Sequence, residues 1–265
     1  MFLSEPGSAI GNTFRATVNR LLTLAWRLRV RWGPAVDVDR PEQLTVVLVS
    51  YLRPRNLEPI IRSALKCRFV NRVAVQNNNP DIDLNEWVHV SSGRLSILNS
   101  PVRQGAGSRW SVALNEEQPY YLAIDDDVFL FPSQIARLFL HLLNDPSVPH
   151  GVHGVARRAH VARREKPVDV LHQLYLATAD QVRRYHEILA ILKEQAPKER
   201  EIANHLGDDI IISHCGRGLP RVHDVGVIPR CPSSHEKGIA LNQLDEFPHV
   251  RRRFHRRVRE LVADR

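Results

Sequence analysis

The segment that most constrains the fold is Leu44-Thr-Val-Val-Leu-Val-Ser50, an unbroken apolar and β-branched run without the alternation of a half-exposed strand. Such a strand is covered on both faces, as central strands of helix-flanked parallel sheets are. Arg53-Pro54-Arg55-Asn56 then opens an apolar-periodic stretch through Ile60, Ile61, Ala64 and Leu65, and Val70 to Val75 reads as the next strand, completing a βαβ unit. Leu95 to Leu98 and Tyr120 to Ile124 have the same strand character. Gly105 to Leu114, Pro132 to Leu143 and Asp180 to Leu192 read as helices, and a last helix buries Val250, Phe254, Val258 and Leu261. The alternation predicts an α/β fold, a doubly wound mixed sheet with helices on both faces that occupies residues 41–265. A chain of 265 residues, 43% of them hydrophobic, can bury a full core of that kind.

Ligands of doubly wound sheets bind beyond the carboxyl ends of the strands, and the polar sequences of this chain fall there. Ser50-Tyr51-Leu52-Arg53 follows the first strand, Gln76-Asn77-Asn78-Asn79-Pro80 the second, and Asp125-Asp126-Asp127 the strand that begins at Tyr120. Asn77 to Pro80 also has the chemistry of a plain turn. Three adjacent carboxylates against apolar neighbours raise one another's pKa and need a positive partner if they are buried. Alternate residues of an extended segment project the same way, so Asp125 and Asp127 can share a ligand while Asp126 points elsewhere. Carboxylate oxygens suit Mg²⁺ or Mn²⁺, ions that bridge to substrate phosphates. The competing reading is a solvated acidic helix start, because Pro132-Ser133 follows. A second acidic pair, Asp208-Asp209, precedes the apolar Ile210-Ile-Ile212. A helix cap accounts for Asp208 and leaves Asp209 for chemistry.

The formal net charge is +8, with the excess concentrated in Arg15 to Arg31 and Arg251 to Arg259. Phe14, Val18, Leu21, Leu22, Ala25, Leu28 and Trp32 recur at helical spacing, with Arg15, Asn19, Thr23, Arg27 and Arg31 largely opposite, so residues 1–40 read as a basic amphipathic helix and a linker. That helix is either a peripheral anchor on an anionic leaflet, through residues 14–32, or a helix packed on its own domain. Arginines interrupt the apolar stretch from Leu21 to Trp26, and neither a signal peptide nor a transmembrane helix is expected. Cys67, Cys215 and Cys231 are widely spaced and odd in number, which favours a reducing compartment. The expected location is cytoplasmic, peripheral on the inner face of the membrane if the helix binds lipid. Few aromatics interleave with the basic residues, and acids at the strand ends repel phosphate unless a metal intervenes, so no nucleic-acid partner is expected. His150, His153, His160 and Arg157 to Arg164 suit either an anionic acceptor or a solvated loop.

Taken together, these segments resemble glycosyltransferases of the GT-A (Rossmann-like) fold, over roughly residues 44–260. The chain is most similar to the exostosin-type family 64 domain. The matching segments are Arg53-Pro54-Arg55-Asn56-Leu57 after the first strand, Asp125-Asp126-Asp127, the stretch from Tyr175 to Tyr185, and Asp208-Asp209, where Asp208 stands in place of the usual Glu. The resemblance implies a metal-dependent glycosyltransferase that uses a nucleotide-sugar donor, UDP-hexose or UDP-N-acetylhexosamine, with Mn²⁺ or Mg²⁺ as cofactor and retention slightly favoured. It implies Asp127 as primary metal ligand, Asp125 near the ribose or a metal-bound water, and Asp126 near the donor sugar. Ser50, Arg53, Asn78 and Arg109 would line the nucleotide pocket, with Gly105 and Gly107 allowing close approach to the donor. Asp209, with Asp208 beside it, is the expected reacting carboxylate, and His235 the expected third metal ligand. An inverting family 2 enzyme, a nucleotidyltransferase and a basic nucleic-acid-binding protein are the alternatives, and the acceptor stays open.

Overall fold

A computed structural model describes residues 9–157, 159–195, 197–231, 233–234 and 247–263. Helix α1 (Ala9–Trp32) leads into β1 (Leu44–Ser50), α2 (Pro54–Leu65), β2 (Val70–Asn77), a single 3-10 turn, β3 (Leu95–Asn99), α3 (Ser108–Asn115), β4 (Tyr120–Asp125) and α4 (Pro132–Asn144). The second half is built from short strands, β5 (His150–Gly151), β6 (His153–Ala156), β7 (Ala159–Ala162), β8 (Lys166–Pro167), β9 (Val170–His172) and β10 (Leu174–Thr178). Three helices follow, α5 (Ala179–Gln195), α6 (Pro197–Leu206) and α7 (Asp208–Ser213), then β11 (Arg221–Val222) and α8 (Phe247–Ala263).

Eight strands form one sheet in the order β3-β2-β1-β4-β10-β5-β11-β8, and β7-β6-β9 form a small antiparallel sheet beside it. β3, β2, β1 and β4 run parallel, whereas β10 is antiparallel to β4, which makes the sheet mixed. β1 lies at the centre of the parallel half and is buried at every residue, as its unbroken apolar sequence requires. Its alternate side chains enter different cores. Val46 and Leu48 pack with Trp26, Leu57, Ile61 and Phe139 on the face covered by α1, α2 and α4. Val47 packs with Trp110, Tyr185, Ile211 and Phe254 on the face covered by α3, α5, α7 and α8.

α1 shows two faces. Trp26 and Val30 are buried in the first core, where the Trp26 ring stacks on Phe129 at 4.5 Å and its Nε1–H donates to the Leu130 carbonyl at 2.7 Å. Val18, Leu21, Leu24, Leu28 and Trp32 point to solvent, between 43% and 68% exposed. The packed stripe is thus not the one that the periodicity picks out, because Trp26, the largest buried side chain among the described residues of the helix, overrides it. Among the described residues no helix is long and apolar enough to cross a membrane, and Cys67, Cys215 and Cys231 are free and buried.

Candidate functional site

The parallel strands deliver their polar ends to one cleft of about 2340 Å³, lined by Arg53, Asn78, Arg109, Asp125, Asp126, Asp127, Asp208 and Asp209, with α8 along one wall. The positive partner that buried acids require is present as three arginines from three segments. Arg53, directly after β1, ion-pairs with Asp126 at 2.8 Å and reaches Asp127 at 3.6 Å. Arg109, on the first turn of α3, contacts Asp125 at 2.7 Å and Asp208 at 3.3 Å. Arg251 of α8 grips Asp209 with both terminal nitrogens, at 2.8 and 2.5 Å. Five carboxylates share three guanidiniums, with Arg53 and Arg109 each serving two of them.

That supply is uneven. Asp209 receives Arg251 as a fork, His172 Nδ1 at 3.1 Å and its neighbour's backbone N–H, Ile210 to Oδ1, at 2.8 Å. Burial favours its acid form, yet Arg251 and His172 outweigh that and hold the carboxyl far below the ordinary carboxylate range. Asp127 has the longer Arg53 contact, a 3.4 Å amide contact from Gln173 and a side-chain hydrogen bond from Ser234. Burial, then the Asp125 and Asp126 charges, push its carboxyl up to about 7. Burial likewise takes Asp208 up to about 6, reinforced by Asp209 and only partly offset by Arg109. Asp125 Oδ1 and Asp208 Oδ2 are buried and within ion-pair range of Arg109 but lack an aligned hydrogen bond, so lone pairs are left over.

The grouping differs from simple strand alternation: β4 ends at Asp125, which pairs with Arg109, and in the turn that follows Asp126 and Asp127 share Arg53. Asp126 accepts from Arg53 Nη1 and from the Tyr51 backbone N–H at 3.3 Å, while its own carbonyl accepts from Asn56 Nδ2 at 2.9 Å. Asn78 is placed at the cleft, but its side chain bridges the Gly105 carbonyl and the Ser108 hydroxyl, tying β2 to the start of α3. Ser50 Oγ is buried without a partner at the end of β1. Gly105 and Gly107 permit a close approach by the chain itself, since a Cβ at Gly105 would overlap the Asn204 carbonyl and one at Gly107 would meet the Tyr185 hydroxyl. His235 lies outside the described residues.

Several contributors escape a reading of the sequence. Arg251 sits in a run of arginines that reads as a solvated face, yet it shares a helix stripe with the buried Phe254 and Val258, which is the signal that it points inward. Gln173 adopts φ 65°, turning the chain from β9 into β10 so that its carbonyl accepts from the Asp125 N–H at 2.9 Å and its amide faces Asp127. Tyr175, 5.5 Å beneath the Arg109 guanidinium, supports that cation from below.

No family model and no curated protein matches the chain. Among solved structures, GalNAc-T7 with UDP, GalNAc and Mn²⁺ superposes on 73% of this chain and 44% of its own, at 9% identity and a TM-score of 0.52. The chain has a GT-A-type fold. It spans less than half the length of the GalNAc-T7 chain. CMP:2-keto-3-deoxy-manno-octonic acid synthetase complexed with CTP is matched over 60% of this chain and 85% of its own, at 12% identity and a TM-score of 0.42. That similarity is too low to establish a shared architecture.

Proposed function

We propose that this protein is a metal-dependent glycosyltransferase that moves a sugar from a nucleotide-sugar donor, UDP-linked, to an acceptor hydroxyl with retention of configuration. The observation that carries the reading is the charge deficit. Asp125, Asp126 and Asp127 at the carboxyl end of β4 share Arg53 and an Arg109 that Asp208 also draws on, beside a cleft large enough for a nucleotide sugar, a shortfall that suits a divalent cation. Asp127, with the least compensated carboxylate, and Asp125, whose side chain is 30% exposed to the cleft, are the residues that would hold it. When bound, a Mn²⁺ or Mg²⁺ ion supplies Lewis-acid neutralisation of the departing diphosphate. The GT-A-type fold and a neighbour crystallised with UDP and Mn²⁺ support the same reading.

The chain's own residues divide the remaining work. Arg53 fixes Asp126 and orients Asp127 toward the cleft. Arg109 positions Asp125 relative to Asp208 from beneath, so the two acidic runs are held in one frame. Asp209, locked as a carboxylate by Arg251 and His172, is a weak base and a permanent negative charge. That combination suits stabilising an oxocarbenium-like sugar better than deprotonating an acceptor, and it supports retention. Incubation with UDP-sugars and Mn²⁺ should release UDP. Release of pyrophosphate from a nucleoside triphosphate, with no turnover of any nucleotide sugar, would make the protein a nucleotidyltransferase instead.

We further propose that α1 rests on an anionic lipid surface. Its exposed stripe of Val18, Leu21, Leu24, Leu28 and Trp32 is flanked by the exposed Arg20, Arg27 and Arg31, with no acid anywhere on the helix. Vesicles of phosphatidylcholine with phosphatidylserine should bind the protein, and those without phosphatidylserine should bind it weakly. Equal binding to both kinds, or binding unchanged by Leu21→Ser with Trp32→Ser, would contradict this.

A further inference from the structure

A second cluster of metal-ligating side chains lies outside the carboxylate site. α4 starts beside the Asp triplet and carries His141 nine residues further on, about 14 Å along the helix axis. There His141 meets Glu165, from the turn between β7 and β8, and His223, directly after β11. One ligand atom from each of the three lies within 4.8 Å of the other two. His141 Nε2 is 3.8 Å from a Glu165 carboxylate oxygen, and the two imidazoles are stacked with centroids 3.8 Å apart.

The hydrogen bonds around His223 decide its tautomer. His150 Nε2 lies 2.7 Å from the Asp145 carbonyl, which can only accept, so that nitrogen carries the proton. His150 Nδ1 is therefore an acceptor, and it lies 2.7 Å from His223 Nε2, which must donate to it. The remaining nitrogen, His223 Nδ1, is left as a bare lone pair. It is buried and has no hydrogen-bond partner, on a side chain of a residue only 5% exposed. A buried acceptor of this kind is unfavourable unless something occupies it. The relay from carbonyl to His150 to His223 is the arrangement that orients metal-binding histidines elsewhere.

We propose that His141, Glu165 and His223 Nδ1 bind a Zn²⁺-class ion, with His150 as the positioning residue that holds His223 in the ligating tautomer. Two imidazoles and a carboxylate select a borderline ion over Mg²⁺ or Mn²⁺, which sets this site chemically apart from the all-carboxylate one. A tetrahedral shell needs ligand atoms about 3.4 Å apart and an ion near the plane of each imidazole, so His141 must rotate out of its stack on His223, which His150 holds in place. Glu165, the most exposed of the three, then closes on the ion. Burial first, and then Arg137 beside His141 and Arg221 beside both rings, disfavour charge on the imidazoles, and the two arginines also oppose an ion to some degree. Bound, the ion would pin the end of α4 to the β7–β8 turn and to the chain leaving β11.

The test uses the full chain stripped of metal by chelation, in an Asp127→Asn background that disables the carboxylate site. Zn²⁺ titration calorimetry should show one ion per chain, and Co²⁺ should give the visible absorption of a four- or five-coordinate site. His141→Ala and Glu165→Gln, both at side chains that reach solvent, should each weaken Zn²⁺ binding at least tenfold and reduce the Co²⁺ signal. Absence of stoichiometric Zn²⁺ binding, or binding unchanged in both variants, would overturn the assignment.

Discussion

Asp127 and Asp209 are the same residue type, each the last member of an acidic run, and each lines the same cleft, yet their surroundings drive them in opposite directions. Asp209 is over-supplied with donors, a two-pronged arginine, a histidine and a backbone N–H, and stays ionised. Asp127 is under-supplied, sharing one arginine at 3.6 Å while two carboxylates press on it, and its carboxyl rises to about 7. The difference shows which acid the protein has finished and which it has left for a ligand. A carboxylate clamped by protein groups serves as fixed charge, and one held at a deficit serves as a binding site.

The largest effect should come from breaking the finished side. Arg251→Met leaves Asp209 buried without its principal cation, and the expected loss of folding stability is about 3–5 kcal/mol, read from denaturant unfolding. Adding Asp209→Asn to that variant should restore most of it, because the uncompensated charge is gone. If the double variant is no more stable than the single one, the Arg251 contribution is packing rather than charge.

Breaking the unfinished side should act on function rather than on the fold. Asp127→Asn is expected to lower donor turnover by on the order of 10²–10³ or more, while raising the melting temperature of the metal-free protein, since it relieves crowding among three acids. An apo protein that melts lower after this substitution would mean that Asp127 is already satisfied.

A smaller effect sharpens the comparison through pH. The Asp127 carboxyl, raised to about 7, must release a proton to accept a cation. Mn²⁺ affinity should therefore weaken about tenfold for each pH unit below 7 and level off above it. In the metal-free protein the sign is reversed for stability. The folded state keeps a proton that the unfolded chain gives up near its ordinary value of about 3.9, so stability present at low pH is lost as pH rises through about 7. Asp209, shifted downward, contributes the opposite way, with stability present above its unfolded value and lost as pH falls toward its depressed folded one. A metal-free stability profile that shows no decline between pH 5 and about 7 in the wild type, beyond that of Asp127→Asn, would contradict the assignment.

How far the sequence reveals this architecture depends on which half is read. The parallel half is legible because β1 and β4 display long apolar runs and β2 a shorter one, Val73-Ala-Val75, and each is followed by a polar segment that marks the cleft. Residues 150–178 carry six strands of two to five residues, too short to show a period, and the antiparallel half is accordingly invisible in the sequence. The five aspartates announce themselves by type and position. Arg53 and Arg109 are picked out as pocket residues by the resemblance, but their pairing with the aspartates, and Arg251 altogether, are not legible, because the three come from distant segments and the pairing exists only after folding. α1 shows the same limit from the other side. Helical spacing identifies an apolar stripe correctly, but which stripe packs is decided by the fit of Trp26 against Phe129.

The central claim is that Asp127 holds a cation that in turn holds a nucleotide sugar. The most direct measurement is the thermal shift of wild type and Asp127→Asn with UDP-, GDP- and TDP-sugars, each with and without Mn²⁺. The account predicts stabilisation of the wild type by a UDP-sugar only when Mn²⁺ is present, and none for Asp127→Asn. Stabilisation by nucleotide sugar that is independent of Mn²⁺, or equal in the two proteins, would contradict it.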